Sequence, residues 1–181
     1  VYFPGFVIPM LPEILSNNLC SLRPDEDKFT VMAEIIIGKD GKIKSYKFYN
    51  ALISSSARLT YTQVDDFLHN KKSVTDKNVI KNINNLFSLY KILKKSREKR
   101  HAVNFDTQEF SFLISKNNEI TGIKNNIRLE SQKLIEECMI AANVASSLFI
   151  KKNKSNSLYR VHDEPTLEKI EDASVSLKNL G

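Results

Sequence analysis

Two runs flanking Asp40-Gly41 constrain this chain most. Residues 29–37 read Phe-Thr-Val-Met-Ala-Glu-Ile-Ile-Ile, rich in β-branched types, and residues 42–50 carry Ile43, Tyr46, Phe48 and Tyr49. Such runs either side of Asp-Gly specify a β-hairpin, because Asp-Gly accepts the positive φ that a tight hairpin turn needs. From Asp76 the period changes: Val79, Ile83, Leu86, Tyr90 and Leu93 recur at steps of three and four, the signature of an amphipathic helix. Thr75 or Asp76 can cap it. It ends in a basic run, Lys91, Lys94, Lys95, Arg97, Lys99 and Arg100, whose charge complements a helix C-terminus. A second strand pair is expected over 108–115 and 119–124, turning at Asn117-Asn118. An apolar helix follows over 132–150, with Ile135, Met139, Ala142, Ala145 and Phe149 as its stripe. A short strand at Leu158 to Val161 and a helix from about 166 close the chain. Hairpin, helix, hairpin, helix is an α+β order.

Ahead of the hairpin, Pro4, Pro9, Pro12 and Pro24 crowd the first 24 residues. Each fixes φ and removes a backbone donor, so this region is expected to be extended and looped. The opening apolar stretch has no basic flank and is broken by prolines, which argues against a signal peptide. Together with Val1 in place of Met, it reads as the start of a piece of something longer or of a processed product. With 181 residues, 41% hydrophobic and 27% charged, the composition excludes a wholly disordered chain and a disulfide-dependent miniprotein. No apolar run reaches the ~20 residues of a membrane span. Cys20 and Cys138 have neither metal nor disulfide-framework spacing, which suits a reducing, cytoplasmic setting. A net charge of +6 is a modest bias toward a polyanionic partner.

Few motifs carry chemistry by themselves. Gly38 to Lys42 lacks the glycine spacing and the Ser/Thr of a phosphate loop and reads as the hairpin turn. Asp25-Glu26-Asp27 is an acid cluster, but consecutive loop acids rarely converge on one ion. Asp65-Asp66 reads as the acidic start of a helix. His162-Asp163-Glu164 holds a base beside acids, with Asp163 or Glu164 more simply capping the last helix. Cys138 reads as a buried structural thiol. Glu136 and Asn143, seven apart, share a face of the apolar helix, with Glu137 about 100° away. Such a pair either has buried partners or forms a wetted edge. Tyr2, Tyr61 and Phe105 sit outside the clear helices and strands, the latter two close in sequence to Arg58, Arg100 and His101; all three are either core aromatics or a stacking platform for single-stranded nucleic acid.

Several blocks carry a resemblance. Tyr2-Phe3-Pro4-Gly5 with Ile8 to Pro12, Leu15 to Leu22, Tyr46 to Tyr49, Ala57 to Tyr61, Leu134 to Asn143 and Tyr159 to Pro165 resemble, in order, the RNB catalytic domain of the ribonuclease R and ribonuclease II exoribonucleases. The pattern is closer to ribonuclease R. The resemblance implies an internal part of one RNB catalytic domain over 1–181, without the family's cold-shock and S1 domains. It implies a parent enzyme that degrades single-stranded RNA processively from the 3′ end to nucleoside 5′-monophosphates with Mg²⁺. Tyr2 and Phe105 match the residues that clamp bases near the 3′ end. Tyr61 matches a tyrosine near the scissile end, and Glu136 an acid that contacts the terminal nucleotide. Arg58 is expected to contact phosphate. The family's aspartate cluster precedes this segment and its catalytic arginine follows, so no catalytic or metal residue is expected within the chain. Gln132 stands where ribonuclease R usually has histidine. The alternative is a non-catalytic RNA-binding or interaction module derived from this domain.

Overall fold

The strand runs pair across a tight turn at Asp40-Gly41, as their composition requires. In the computed structural model, which describes residues 1–3, 6–69, 74, 76–102, 109–115, 117 and 119–180, β3 (Asp27–Ile37) and β4 (Ile43–Ser54) form an antiparallel hairpin. Its register sets Ala33 opposite Phe48, with an irregularity at Ile36/Ile37 beside the turn. The turn is closed by Gly41 N–H donating to Gly38 O at 2.9 Å and Gly38 N–H to Lys42 O at 2.9 Å. Gly41 has φ +74° and is buried, and a Cβ there would sit 2.4 Å from the Cβ of Ser96. Glycine is therefore required twice, by its backbone angle and by the close approach of a helix.

That helix is α2 (Lys77–Lys99), the long element that the three-four period specifies. Of the two candidate caps, Asp76 caps it, its carboxylate accepting from Asn78 N–H at 2.8 Å and Val79 N–H at 2.9 Å; Thr75 lies outside the described residues. Ile83, Tyr90, Leu93 and Ser96 are buried, while Leu86 is exposed. Before it, α1 (Tyr61–Leu68) starts at a capping box in which Thr60 and Gln63 exchange bonds. After it, β5 (Glu109–Ile114) and β6 (Ile120–Asn126) make the second hairpin; Asn118 of its expected turn lies outside the described residues.

The expected apolar helix is α3 (Glu130–Lys152). Its buried face differs from the expected stripe. Ser131, Leu134, Glu137, Ala141 and Ala145 are buried, whereas Ile135, Met139 and Phe149 are exposed. Every buried apolar side chain among the described residues lies on α2 or α3. The core is the seam of these two helices, and it accommodates a carboxylate.

Three smaller expectations change. The proline-rich start contains β1 (Tyr2–Phe3), β2 (Phe6–Val7) and a wide helical turn at Ile14–Leu19. Pro12 precedes that turn, where its missing donor matters little, and its carbonyl accepts from Leu15 and Ser16 N–H. Leu158 to Val161 forms no strand; a strand needs a neighbour, and this run has none among the described residues. The last helix, α4 (Leu167–Leu180), begins after Thr166 and not at an acid, with Thr166 Oγ1 accepting from Lys169 N–H at 3.4 Å.

The chain divides into two compact units, Val1–Ser147 and Leu148–Gly181. In the second, residues 151–179 are all exposed. No helix among the described residues is long and apolar enough to cross a membrane.

The Gly41 contact yields a prediction. Gly41→Ala should destabilise the protein by about 2 kcal/mol, from the positive φ and the forced shift of Ser96. Urea unfolding monitored by circular dichroism would measure it. An unchanged midpoint would contradict the packing described.

Candidate nucleic-acid interface

Tyr61, Arg58 and Glu136 come from three different pieces of local structure. Arg58 lies exposed in the segment between β4 and α1. Tyr61 opens α1, where the Thr60 cap fixes its backbone, and the residue is 48% exposed. Glu136 lies in the second turn of α3.

Two bonds tie α1 to the start of α3. Ser131 Oγ, 2% exposed as a residue, donates to Tyr61 O at 2.8 Å. Glu130 N–H donates to Asp65 Oδ1 at 3.0 Å. Asp65 therefore sits mid-helix, not at a helix start as expected, and its negative charge serves the N-terminus of a different helix. Its second oxygen lies 3.4 Å from His69 Nδ1. Gln132 completes this helix start, accepting from Leu129 N–H through Oε1 at 2.8 Å. In place of a histidine, the glutamine thus supplies a helix cap. Ser131 to Glu136 is five residues, about 7.5 Å of helix rise, so Tyr61 and Glu136 are held by the same short stretch of α3.

Glu136 and its neighbour sit in an ion-pair network. Arg97 of α2 donates from Nη1 to Glu137 Oε1 at 2.8 Å and to Glu136 Oε1 at 3.3 Å. Arg128, just before α3, bonds the other oxygen of Glu136. Glu137 is 6% exposed and would be very costly without this partner. Between partners and a wetted edge, the pair considered from sequence thus splits: Glu136 is paired with half-buried Arg97 and exposed Arg128, while Asn143 is exposed. Arg97 Nε is buried without a hydrogen-bond partner among the described residues. Sequence reasoning missed Arg128, the burial of Glu137 and the roles of Asp65 and Arg97, which read as a helix start and as part of a basic run. The available signal was an arginine and an acid pair on separate helices, 40 residues apart.

The remaining candidates are quickly placed. Phe105 and the side chain of Tyr2 lie outside the described residues; the backbone of Tyr2 pairs with Val7 in β1. Asp25, at φ 60°, donates its N–H to Ser55 O, and Glu26 pairs with Lys28 at 2.7 Å. His162 is exposed and accepts from Arg160 Nε at 3.4 Å. Cys138 is half-buried; burial, and then the charge of Glu137, pushes its thiol up from the ordinary range. Among the described residues, no three His, Cys, Asp or Glu side chains converge as a metal site would require.

Two predictions follow from the network. Arg97→Ala should destabilise the protein by about 3 kcal/mol, because Glu137 is left buried and unpaired; Glu137→Gln should relieve much of that loss in the double mutant. Denaturant unfolding of the four-member cycle checks the coupling. Separately, a raised thiol pKa means less thiolate at any given pH. Cys138 should therefore alkylate more slowly than exposed Cys20, and its rate should rise at higher pH. Mass-spectrometric footprinting with iodoacetamide across pH would show equal rates if this were wrong.

Comparison with known proteins agrees with this architecture. The RNB domain matches residues 1–180. The chain is 42% identical over 183 aligned residues to Ribonuclease R of Escherichia coli (strain K12), covering 100% of this chain and 22% of that protein. It is 39% identical to Ribonuclease R of Mycoplasmopsis pulmonis, covering 25% of that protein. Among solved structures, Mycoplasma genitalium RNase R in complex with double-stranded RNA superposes with a TM-score of 0.94 at 32% identity, over 100% of this chain and 32% of that one. The chain thus spans about a quarter of the length of these relatives, and it belongs to the RNB domain family.

Proposed function

We propose that this chain is an internal segment of one RNB catalytic domain and forms part of the RNA path of a 3′-to-5′ exoribonuclease. The parent would hydrolyse single-stranded RNA processively to nucleoside 5′-monophosphates, with cold-shock and S1 domains elsewhere in the longer protein. The observation that carries this reading is the tethering of Tyr61 and Glu136 to one stretch of α3, in a chain whose family match runs over residues 1–180. An RNase R of known structure was solved with ribose-methylated single-stranded RNA, which supports RNA as the partner.

The residues fit that role chemically. Half-exposed Tyr61 carries an aromatic ring that could stack on any base, so binding need not read sequence. The Glu136 carboxylate is an acceptor for a ribose hydroxyl, and two guanidiniums hold its orientation. Arg58, exposed and without an ion-pair partner among the described residues, can contact phosphate. Tyr2 and Phe105 are assigned to the 3′-end clamp by family resemblance.

Mg²⁺ belongs to the proposed reaction, but the residues described here do not form a site for it. No acid cluster converges among them, so the ligands would come from other parts of the parent, and no chemical step is assigned to this segment. The exposed apolar side chains Phe29, Val31 and Leu52 on the β3–β4 hairpin suit a segment whose faces are covered by the rest of a larger domain. The cytoplasm is the proposed setting, which suits the free thiols of Cys20 and Cys138.

The test is degradation of 5′-labelled single-stranded RNA by the full-length protein with Mg²⁺, with EDTA as control. A ladder shortening from the 3′ end is expected. Tyr61→Ala should lower kcat/KM by about tenfold to a hundredfold, the range set by loss of one base stack. Salt-sensitive binding without any cleavage would instead support a non-catalytic RNA-binding module.

A further inference from the structure

Arg128 is the member of the ion-pair network that the fold needs least. Arg97 spans the seam of the two long helices and neutralises buried Glu137, with 23% of its side chain exposed. The Arg128 side chain is 46% exposed, and its partner Glu136 is already held through Oε1 by Arg97. An ion pair this open to water adds little to stability. The bond to Glu136 Oε2 uses only Nη2 of Arg128. A guanidinium carries five N–H donors in a planar fork, and the others on this one have no hydrogen-bond partner among the described residues. The backbone that presents Arg128 is fixed by its neighbours: Leu129 N–H donates to Gln132 Oε1, and Glu130 N–H to Asp65 Oδ1.

We propose that Arg128 is a phosphate-contacting residue of the RNA path, which holds Glu136 with one nitrogen and the phosphate beside the ribose at Glu136 with its remaining donors. The proposal rests on the reading of Glu136 as a ribose acceptor. A ribose in an RNA strand carries a phosphate on its own 5′ oxygen. A carboxylate that accepts from the ribose hydroxyl therefore stands close to charge of its own sign. Glu137 adds a second negative charge one residue away, and Arg97 is committed to it at 2.8 Å. Without a further cation, this part of α3 repels the backbone it is to receive. Arg128 supplies that cation at the Glu136 oxygen that Arg97 does not hold. A planar guanidinium can bond carboxylate and phosphate oxygens at the same time, a geometry that a lysine ammonium does not match. The contact reads charge and not base, so it adds affinity without adding sequence preference.

The experiment uses the full-length protein in EDTA, so that binding is read without cleavage. The variants are Arg128→Met, Glu136→Ala, the two together, and Lys47→Met on the first hairpin as a control. Fluorescence anisotropy measures Kd for a short single-stranded oligoribonucleotide over a range of KCl, and urea unfolding measures stability. Arg128→Met should keep the unfolding midpoint of the unmodified protein and bind RNA about tenfold more weakly. Its log–log salt slope should be smaller by about 0.7, the value for one phosphate contact on a single strand. In the Glu136→Ala background the same substitution should still weaken binding by at least about threefold, because the phosphate contact is its own. Lys47→Met should leave affinity and slope unchanged. Four results would overturn the proposal: a lowered midpoint in Arg128→Met, unchanged affinity, an unchanged salt slope, or a loss that disappears in the Glu136→Ala background. The last would make Arg128 a positioning residue for Glu136 and nothing more. Absence of RNA binding by the unmodified protein would overturn both this proposal and the RNA path itself. Unchanged kcat/KM for Glu136→Ala in the Mg²⁺ degradation assay, with the Arg128→Met loss intact, would overturn the ribose reading of Glu136 alone.

Discussion

Arg97 sets the relation between the two long helices. Its guanidinium lies between α2 and α3, paired with a glutamate that is almost wholly removed from water. A buried carboxylate is tolerated only where a partner and good geometry offset its lost hydration. The pairing is unforgiving in register, because a shift of either helix by one residue carries Glu137 about 100° out of reach. The same nitrogen reaches Glu136, so the contact that fixes the core also aims the carboxylate proposed to meet RNA. Structure and function share one side chain here.

The other docking points lie at the same end of α2 or at the start of α3. Ser96, next to Arg97, receives the Gly41 turn of the first hairpin. Arg100 bonds back to Ser96 Oγ at 3.3 Å. At α3, Ser131 and Glu130 receive α1 through Tyr61 and Asp65. Hairpin, α1 and the helix pair are thereby joined by few, mostly polar contacts. The charges of Glu130 and Glu137, after burial itself, raise the pKa of the Tyr90 phenol from its ordinary value, which shows how closely that ring sits to the acidic start of α3.

Much of the fold was legible because local rules suffice for it. β-branched runs around Asp40-Gly41 make a hairpin whatever surrounds them, and the period from Val79 to Leu93 makes a helix. The errors came where a partner decides. Leu158 to Val161 has strand composition but no neighbouring strand. The stripe of Ile135, Met139 and Phe149 reads as a core face, yet α3 turns Leu134, Glu137 and Ala141 inward because Arg97 is there to meet Glu137. Asp65 reads as a helix start because acids favour helix N-termini; it does serve one, but that of α3.

Most element types, the hairpin turn and family membership were determined by the sequence, since each rests on residues close in the chain or on ordered blocks of identity. Glu136 and Tyr61 could be named from those blocks. Their mutual placement, the burial of Glu137 and the role of Gln132 as a cap were decided only by tertiary structure. Each depends on contacts between side chains or helix ends that chain order does not reveal, and in a low-dielectric core such contacts outweigh the preferences of any single segment.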